Sequence, residues 1–277
     1  MSEFIKTGVI GHPISHSKSP QIHNYWIKAY GLQGSYDAVD IAPDDLKDGV
    51  QHLIDEGYAG FNVTVPHKEQ IVSLCTNVDH NAQAIGAVNT VAIESGKLRG
   101  LNTDGFGFLN NIWNDVPDFE FENKRAVILG AGGASRAVIS GLIGEQIGQI
   151  VLLNRTREKA ETIQKEMGFL SDLIVVEDWE ARNEILDSAD ILVNTTSLGM
   201  QGQPALDIDL KALPKTALVN DIVYAPLQTN LLKAAQEGGH TAITGIGMLI
   251  HQARPAFKEW FGLLPDVTDE LRDLVLK

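Results

Sequence analysis

A glycine-rich segment at residues 125–138, RAVILGAGGASRAV, has the composition and spacing of a phosphate-binding turn. An apolar run that predicts a strand leads into the turn, and a helical pattern follows it. The turn contains three glycines, Gly130, Gly132 and Gly133. Glycine lets the backbone approach a pyrophosphate, and the free N–H groups at the start of a helix favour its negative charge. The alternative, a glycine-rich turn with no ligand, is disfavoured by the second predicted strand at residues 150–153.

The residues directly after that second strand, 154–157, include cations and no carboxylate. NAD-specific sites place Asp or Glu roughly 20 residues after the glycines, where it binds the ribose 2′-hydroxyl. This chain instead has Asn154, Arg155 and Thr156 there, with Lys159 close behind. A guanidinium can bind phosphate oxygens and stack on adenine, which predicts NADP rather than NAD. Cations that merely begin a surface helix are the alternative, but they would oppose the helix dipole.

Three polar segments in the first half of the chain carry groups that a fold alone does not require. The groups are the hydroxyls of Ser15, Ser17 and Thr64, the amides of Asn62 and Asn89, and the ionisable side chains of Lys68 and Asp104. Two hydroxyls at i and i+2 can face one small anion, and a lysine can donate the proton that an alkoxide needs. Each segment alone is also typical of ordinary turns.

The elements that would position these residues alternate between strand and helix. Residues 7–10, 35–41 and 60–65 predict strands, and Ser19-Pro20 predicts a helix with Ser19 as its N-cap. Residues 88–93 and 98–100 flank Ser95-Gly96, which is a hairpin signal. The acidic stretch at residues 110–124 predicts the end of a helix and a domain linker, after which the alternation resumes. This order predicts an α/β fold with mostly parallel, helix-covered sheets.

Composition excludes several classes of protein. The 277 residues are 44% hydrophobic, and 22 basic against 36 acidic residues give a net charge of −14, which disfavours nucleic acid and anionic membranes as partners. No apolar run is long enough for a transmembrane helix, and no leader sequence is recognisable. With Cys75 as the single cysteine, we expect a cytoplasmic protein without disulfides. His12 and His16 lie in a loop pattern with Pro13, so we predict no metal site.

The polar segments and the glycine-rich turn together resemble the shikimate dehydrogenase family. The matching motifs run in the family's order across nearly the whole chain: GHPISHSKSPQIHN, GFNVTVPHKE, GAVNTV, GLNTDG, GAGGASRA, LLNRT, VNTTSLGM, DIVYAPLQT and GIGMLIHQA. One departure is Thr244, where the family often has Asp.

The resemblance implies two α/β domains around a cleft. Residues 1–105 with 246–277 would form the substrate-binding and catalytic domain, and residues 106–245 the NADP-binding, Rossmann-type domain. Lys68 and Asp104 would be the catalytic pair. The implied substrate-binding residues are Ser15 and Ser17 for a carboxylate, with Tyr224 nearby, and Asn62, Thr64, Asn89 and Gln252 for ring hydroxyls or for orienting their neighbours. The implied cofactor-binding residues are Gly130, Gly132, Gly133, Ala134, Arg136, Asn154, Arg155, Thr156, Lys159, Thr195, Gly245 and Met248.

The activity implied by the resemblance is the reversible reduction of 3-dehydroshikimate to shikimate with NADPH, in the biosynthesis of aromatic amino acids. Two alternatives stay open: a quinate/shikimate dehydrogenase that uses NAD, and a ligand-sensing protein that keeps the fold without the chemistry. The NRT segment argues against NAD, and intact Lys68 and Asp104 argue against loss of the chemistry. The expected partner is a small-molecule substrate, and the expected assembly is a monomer or a homodimer.

Overall fold

The computed structural model describes residues 4–277 as a succession of strands and helices. The strands are β1 Ile5–Gly11, β2 Gly34–Asp40, β3 Tyr58–Val63, β4 Asn77–Val78, β5 Thr90–Glu94, β6 Lys97–Leu101, β7 Arg125–Leu129, β8 Gln149–Leu153, β9 Ile174–Glu177, β10 Ile191–Asn194, β11 Leu218–Asp221 and β12 Thr241–Ile243. The α-helices are α1 Ser19–Ala29, α2 Leu46–Asp55, α3 His80–Ile85, α4 Asp104–Asp115, α5 Gly133–Gly144, α6 Arg157–Glu166, α7 Asn230–Glu237, α8 Ile246–Phe261 and α9 Asp269–Leu276. Within the described residues, no helix combines the length and apolarity needed to cross a membrane.

The chain divides into two compact units, Met1–Asp104 with Ile250–Lys277, and Gly105–Leu249. We expected the boundaries at 105/106 and 245/246. Each unit contains its own six-stranded sheet, so the predicted pair of α/β units is confirmed.

The sheet of the first unit has the strand order β2-β1-β3-β5-β6-β4. The pairs β1–β2 and β1–β3 are parallel, whereas β3–β5 and β5–β6 are antiparallel. The turn between β5 and β6 is the predicted Ser95-Gly96, and both residues have positive φ, 51° and 74°. Positive φ at both central residues is typical of a type I′ turn, which matches the twist of the flanking strands.

An aromatic cluster packs the C-terminal segment against the N-terminal part of this unit. Trp260 donates its indole N–H to the carbonyl of Val91 at 3.0 Å, and Trp26 donates to the carbonyl of Asp266 at 2.9 Å. The imidazole of His23 stacks on the ring of Tyr36, with centroids 4.0 Å apart. Because both indole N–H groups find acceptors, the two tryptophan rings are buried without leaving their own donors unpaired.

The second sheet is entirely parallel, in the order β12-β11-β10-β7-β8-β9, which is the doubly wound Rossmann arrangement. Alternate residues of β7 belong to different hydrophobic clusters, Ala126 and Ile128 to one and Val127 and Leu129 to another. Both faces of this sheet are therefore covered, which explains why its strands read as continuous apolar runs.

Two sequence-based expectations were wrong in detail. Lys18, rather than Ser19, occupies the N-cap position of α1, and it makes no side-chain capping bond. Residues 110–124 are no linker: α4 continues to Asp115, and Phe119 and Phe121 then pack on the hydrophobic cluster of the second unit. The apolar side chains of this acidic stretch determine how it packs, because their burial in the core is favourable while the charged side chains stay at the surface.

Candidate active site

The strand pairing of β3, β5 and β6 gathers the polar segments of the first unit. Asn62 near the end of β3 is opposite Thr90 at the start of β5, and Thr90 is opposite Leu101 at the end of β6. The residues just beyond these ends therefore come together at one edge of the sheet, although they lie far apart in sequence.

Lys68 and Asp104 form an ion pair at this edge. The Lys68 Nζ atom lies 2.6 Å from Oδ2 of Asp104, and the side chains are 27% and 11% exposed. The Asp104 backbone N–H donates to Oδ1 of Asn102 at 3.0 Å, which fixes the start of α4. A partly exposed ammonium beside a nearly buried carboxylate can pass a proton to a bound oxygen without leaving its partner.

Asn89 holds the other oxygen of that carboxylate. Its Nδ2 donates to Asp104 Oδ1 at 2.8 Å and to Thr103 Oγ1 at 3.0 Å, with a longer contact of 3.3 Å to Gln252 Oε1. Asn89 Oδ1 in turn accepts the backbone N–H of Thr103 at 2.9 Å. Asn89 therefore orients Asp104. Gln252, which is half-buried and lies on α8, belongs to the same hydrogen-bonded group as Asn89 and Thr103.

Asn62 is saturated by bonds inside the protein. Its Nδ2 donates to the carbonyl of Asn89 and to Oγ1 of Thr90, both at 3.0 Å, and its Oδ1 accepts the hydroxyl of Tyr36 at 2.6 Å. An amide NH₂ has two hydrogens, so Asn62 has none left for a ligand in this arrangement. Of the two roles predicted for Asn62, the contacts favour orienting its neighbours. Thr64, just beyond β3, is half-buried.

The serine segment differs from the predicted arrangement. Ser15 is exposed, whereas Ser17 is half-buried and Ser19 is 7% exposed. Ser17 Oγ accepts the backbone N–H of Ser19 at 3.3 Å, and the Ser19 hydroxyl interacts with that of Tyr36, whose pKa is raised well above its usual value by burial. The structure thus brings Ser17 together with Ser19, and leaves Ser15 facing solvent. Sequence reasoning missed Ser19 as a site residue, because a serine before a proline is also typical of a helix N-cap.

In the second unit, the glycine-rich turn follows β7 as expected. Gly130 has φ +108°, and a Cβ there would lie 2.7 Å from Thr195 Oγ1, so a side chain is excluded. At Gly132 and Gly133, by contrast, a Cβ would meet nothing within 4 Å. Gly132 caps α5 without a side-chain bond, which leaves N–H groups of its first turn for an anion. Ala134 follows them in that turn and is half-buried.

Asn154 connects the turn to the segment after β8. Its Oδ1 accepts the backbone N–H of Ala131 at 3.2 Å, and its Nδ2 donates to the carbonyl of Thr156 at 2.8 Å. Arg155 and Lys159 are exposed, and neither side chain forms a hydrogen bond or ion pair with any described residue. Uncommitted cations beside an open helix start can receive a phosphate.

Two neighbouring arginines are already engaged. Arg157 donates to Glu161 at 2.8 Å and to Asp178 at 2.7 Å, and Arg136 pairs with Glu166. Arg136, which we predicted to bind the cofactor, is therefore committed to a carboxylate in this structure. Its part in cofactor binding stays a prediction.

The remaining predicted residues of this unit follow β10, β11 and β12. Thr195 donates its hydroxyl to the carbonyl of Leu129 at 2.8 Å. A Cβ on Gly245 would lie 2.2 Å from the carbonyl oxygen of Ile222, so only glycine fits there. Met248 is 9% exposed and packs in the hydrophobic cluster, while Tyr224 is 37% exposed.

Comparisons with known proteins agree with this geometry. Family models for the shikimate dehydrogenase substrate binding domain, shikimate / quinate 5-dehydrogenase and the shikimate 5′-dehydrogenase C-terminal domain match residues 9–91, 114–201 and 245–276. The shikimate dehydrogenase (NADP(+)) of Methylocella silvestris is 49% identical over 96% of this chain and 94% of its own.

Solved structures are similar along the whole chain. A shikimate dehydrogenase in complex with NADP+ has a TM-score of 0.90 and 37% identity, covering 99% of this chain and 95% of its own. A quinate dehydrogenase from Corynebacterium glutamicum in complex with NAD has a TM-score of 0.91 and 31% identity, covering 99% of both chains. The resemblance inferred from the motifs is confirmed, and the chain belongs to the shikimate dehydrogenase family.

Proposed function

We propose that the protein catalyses the reversible reduction of 3-dehydroshikimate to shikimate with NADPH. The observation that carries this proposal is the Lys68–Asp104 pair, 2.6 Å between Nζ and Oδ2, held by Asn89 beside a group of hydroxyls and amides. Bound NADPH supplies the hydride for the carbonyl carbon, and this chain's residues must supply the proton and the binding groups.

Lys68 is the proton donor in this proposal. Its ammonium gives one proton to the carbonyl oxygen as that oxygen gains charge, and takes it back when shikimate is oxidised. Asp104 keeps Nζ in place through Oδ2, while Asn89 fixes its Oδ1. A carboxylate with both oxygens held in this way positions the lysine rather than competing for the reacting proton.

Ser17 and Ser19 are proposed to hold the substrate carboxylate. This revises the expected pair of Ser15 and Ser17, because Ser19 is buried next to Tyr36 and adjoins Ser17, whereas Ser15 is exposed. Both lie at the start of α1, whose N-cap has no side-chain bond. The first-turn N–H groups of Ser19, Gln21 and Ile22 already have acceptors in the protein, so the two hydroxyls and the positive end of the helix dipole are what suit a carboxylate there.

Arg155 and Lys159 are proposed to bind the 2′-phosphate of NADP, with Asn154 and Thr156 shaping the segment that carries them. The open space at Gly132 and Gly133 fits a pyrophosphate, and the nearby cations are free to bind the extra phosphate. We accordingly assign most of the substrate-binding residues to the first unit and NADP binding to the second. Ala134, Arg136, Thr195, Gly245 and Met248 remain proposed cofactor residues, and Thr64, Tyr224 and Gln252 remain proposed substrate residues.

An NAD-using quinate dehydrogenase is the second candidate, because one structure similar to this chain carries that name and NAD. The uncommitted Arg155 and Lys159 favour NADP, since residues 154–156, directly after β8, contain no Asp or Glu to bind the ribose 2′-hydroxyl.

One assay separates the candidates. The purified protein is offered shikimate or quinate with NADP+ or NAD+, and formation of the reduced cofactor is followed by absorbance. We expect kcat/KM to be highest for shikimate with NADP+. A higher kcat/KM for quinate with NAD+ would establish the second candidate. No turnover with any of the four pairs would indicate a ligand-binding protein without catalytic activity.

We also propose a cytoplasmic protein that is a monomer or a homodimer. The single cysteine, which cannot form an internal disulfide, supports this location. Fractionation of cells tests the location, and sedimentation of the purified protein tests the assembly.

A further inference from the structure

A buried tyrosine hydroxyl lies behind the candidate active site. Tyr36, on β2, is 1% exposed, and its hydroxyl lies 2.6 Å from Oδ1 of Asn62. An amide oxygen can only accept, so Tyr36 donates this bond. Neither the motifs nor the predicted role of any site residue includes Tyr36.

The direction of the next bonds is fixed by the backbone. The carbonyl of Asn89 can only accept, so the Asn62 atom 3.0 Å away is Nδ2. The second hydrogen of that NH₂ goes to Oγ1 of Thr90, also at 3.0 Å. Tyr36 therefore holds the one orientation of the Asn62 amide that supplies both of these bonds.

Thr90 continues the chain to Asn89. Because its oxygen accepts from Asn62, its own hydrogen is available to Asn89 Oδ1, 2.9 Å away. The backbone N–H of Thr103 reaches the same Oδ1 at 2.9 Å. With Oδ1 held from two sides, the Nδ2 of Asn89 faces Oδ1 of Asp104, and Oδ2 of Asp104 is left for Lys68.

Every link before Asp104 is shielded from water. Asn62 is 5% exposed, Asn89 is 2% and Thr90 is 0%. In such surroundings a lost partner is not replaced by solvent, so the amide left behind must either turn or stay unpaired.

We propose that Tyr36 and Thr90 are positioning residues for the Lys68–Asp104 pair, acting through the amides of Asn62 and Asn89. Neither touches the reacting atoms. This proposal rests on the proposed function, because its effect is measured on the oxidation of shikimate.

The test begins with Tyr36→Phe, which removes the oxygen and keeps the ring that stacks on His23. The matched control is Tyr58→Phe on β3. Tyr58 is 8% exposed, and its hydroxyl has no hydrogen-bond partner within residues 4–277. We expect kcat for shikimate to fall about three- to tenfold in Tyr36→Phe, the loss that one net hydrogen bond represents, and to change less than about twofold in the control. KM for NADP+ should stay within about twofold in both.

A double-mutant cycle with Asn89→Ala separates positioning from general weakening of the fold. If Tyr36 acts through Asn89, then Tyr36→Phe should change kcat by less than about twofold in the Asn89→Ala background. The same fall in both backgrounds would overturn the proposal. Thr90→Val should lower kcat, whereas Thr90→Ser, which keeps the hydroxyl, should have a kcat close to that of the wild type. Equal kcat values for the two Thr90 variants would also overturn the proposal.

The outcomes distinguish the two levels of inference. A wild-type protein that does not oxidise shikimate with NADP+ refutes the proposed function and the positioning role together. An active wild type whose Tyr36→Phe variant matches the Tyr58→Phe control refutes the positioning role alone.

Discussion

Replacement of Lys68 tests the chemistry most directly. Lys68→Met keeps an unbranched side chain of similar length and removes the proton donor, and Lys68→Ala removes the chain as well. General acid–base catalysis contributes about 10²–10⁴ in rate, so kcat for shikimate oxidation should fall by that factor, about 2.7–5.5 kcal/mol of transition-state stabilisation. Because both variants lose the ammonium group, they should be similarly slow, whether or not the rest of the side chain is kept.

The structure also limits the side effects of this change. Asp104 keeps its bond from Asn89 at 2.8 Å, and the Lys68 side chain is 27% exposed, so the free energy of unfolding should fall by only about 1–2 kcal/mol. KM for shikimate should change less than kcat, since Ser17 and Ser19 remain. The rates are measured by following the absorbance of NADPH as it forms, and the free energy of unfolding is measured by urea denaturation. Lys97→Met, at an exposed lysine of β6, is the matched control. A well-folded Lys68→Met whose kcat lies within tenfold of wild type would refute Lys68 as the proton donor.

Three further changes test other parts of the site and fold. Arg155→Ala should raise KM for NADP+ about 10- to 150-fold, the value of a charge-assisted bond, while KM for NAD+ stays nearly constant; equal losses would contradict a phosphate contact. Ser17→Ala and Ser19→Ala should each raise KM for shikimate about five- to fiftyfold, whereas Ser15→Ala should not; an effect at Ser15 alone would restore the original assignment. Burial lowers the pKa of His23 to about 3 from 6.5, so below about pH 6.5 the unfolded chain binds a proton that the folded chain does not. Stability should therefore decrease as the pH falls from about 6.5 towards 3, and His23→Phe should make urea midpoints less dependent on pH over that range; an unchanged slope would argue against a neutral buried His23.

The local parts of the site were predictable from sequence, because each is encoded by a short run of residues. The glycine-rich turn is one case, since the strand before it and the helix after it are contiguous, and Arg155 is another. Tyr36 could not be found in this way. Its partner Asn62 is 26 positions away, and β2 and β3 meet only through β1, so their contact depends on the strand order of the whole sheet.

The prediction for Ser19 failed for a different reason, because its position next to a proline predicted helix capping and no binding role. A serine before proline is typical of helix capping, and only the burial of Ser19 beside Tyr36 in the structure indicates another role for its hydroxyl. The prediction that residues 110–124 form a linker failed for another reason. The acidic residues suggested an exposed segment, whereas Phe119 and Phe121 pack on the hydrophobic cluster.

The hairpin of β5 and β6 has a consequence for how the protein is made. Its paired residues are only 3 to 11 positions apart, from Glu94 with Lys97 to Thr90 with Leu101, and hairpins form in about 1–10 μs. Contact order therefore favours early formation of this hairpin over the parallel pairs, whose strands require helical crossovers. Lys68, Asn89 and Asp104 all lie on or beside it. Gln252 is synthesised roughly 7–30 s later at ordinary rates of translation. We therefore expect the ion pair to assemble on the nascent chain well before Gln252 joins Asn89 and completes the group.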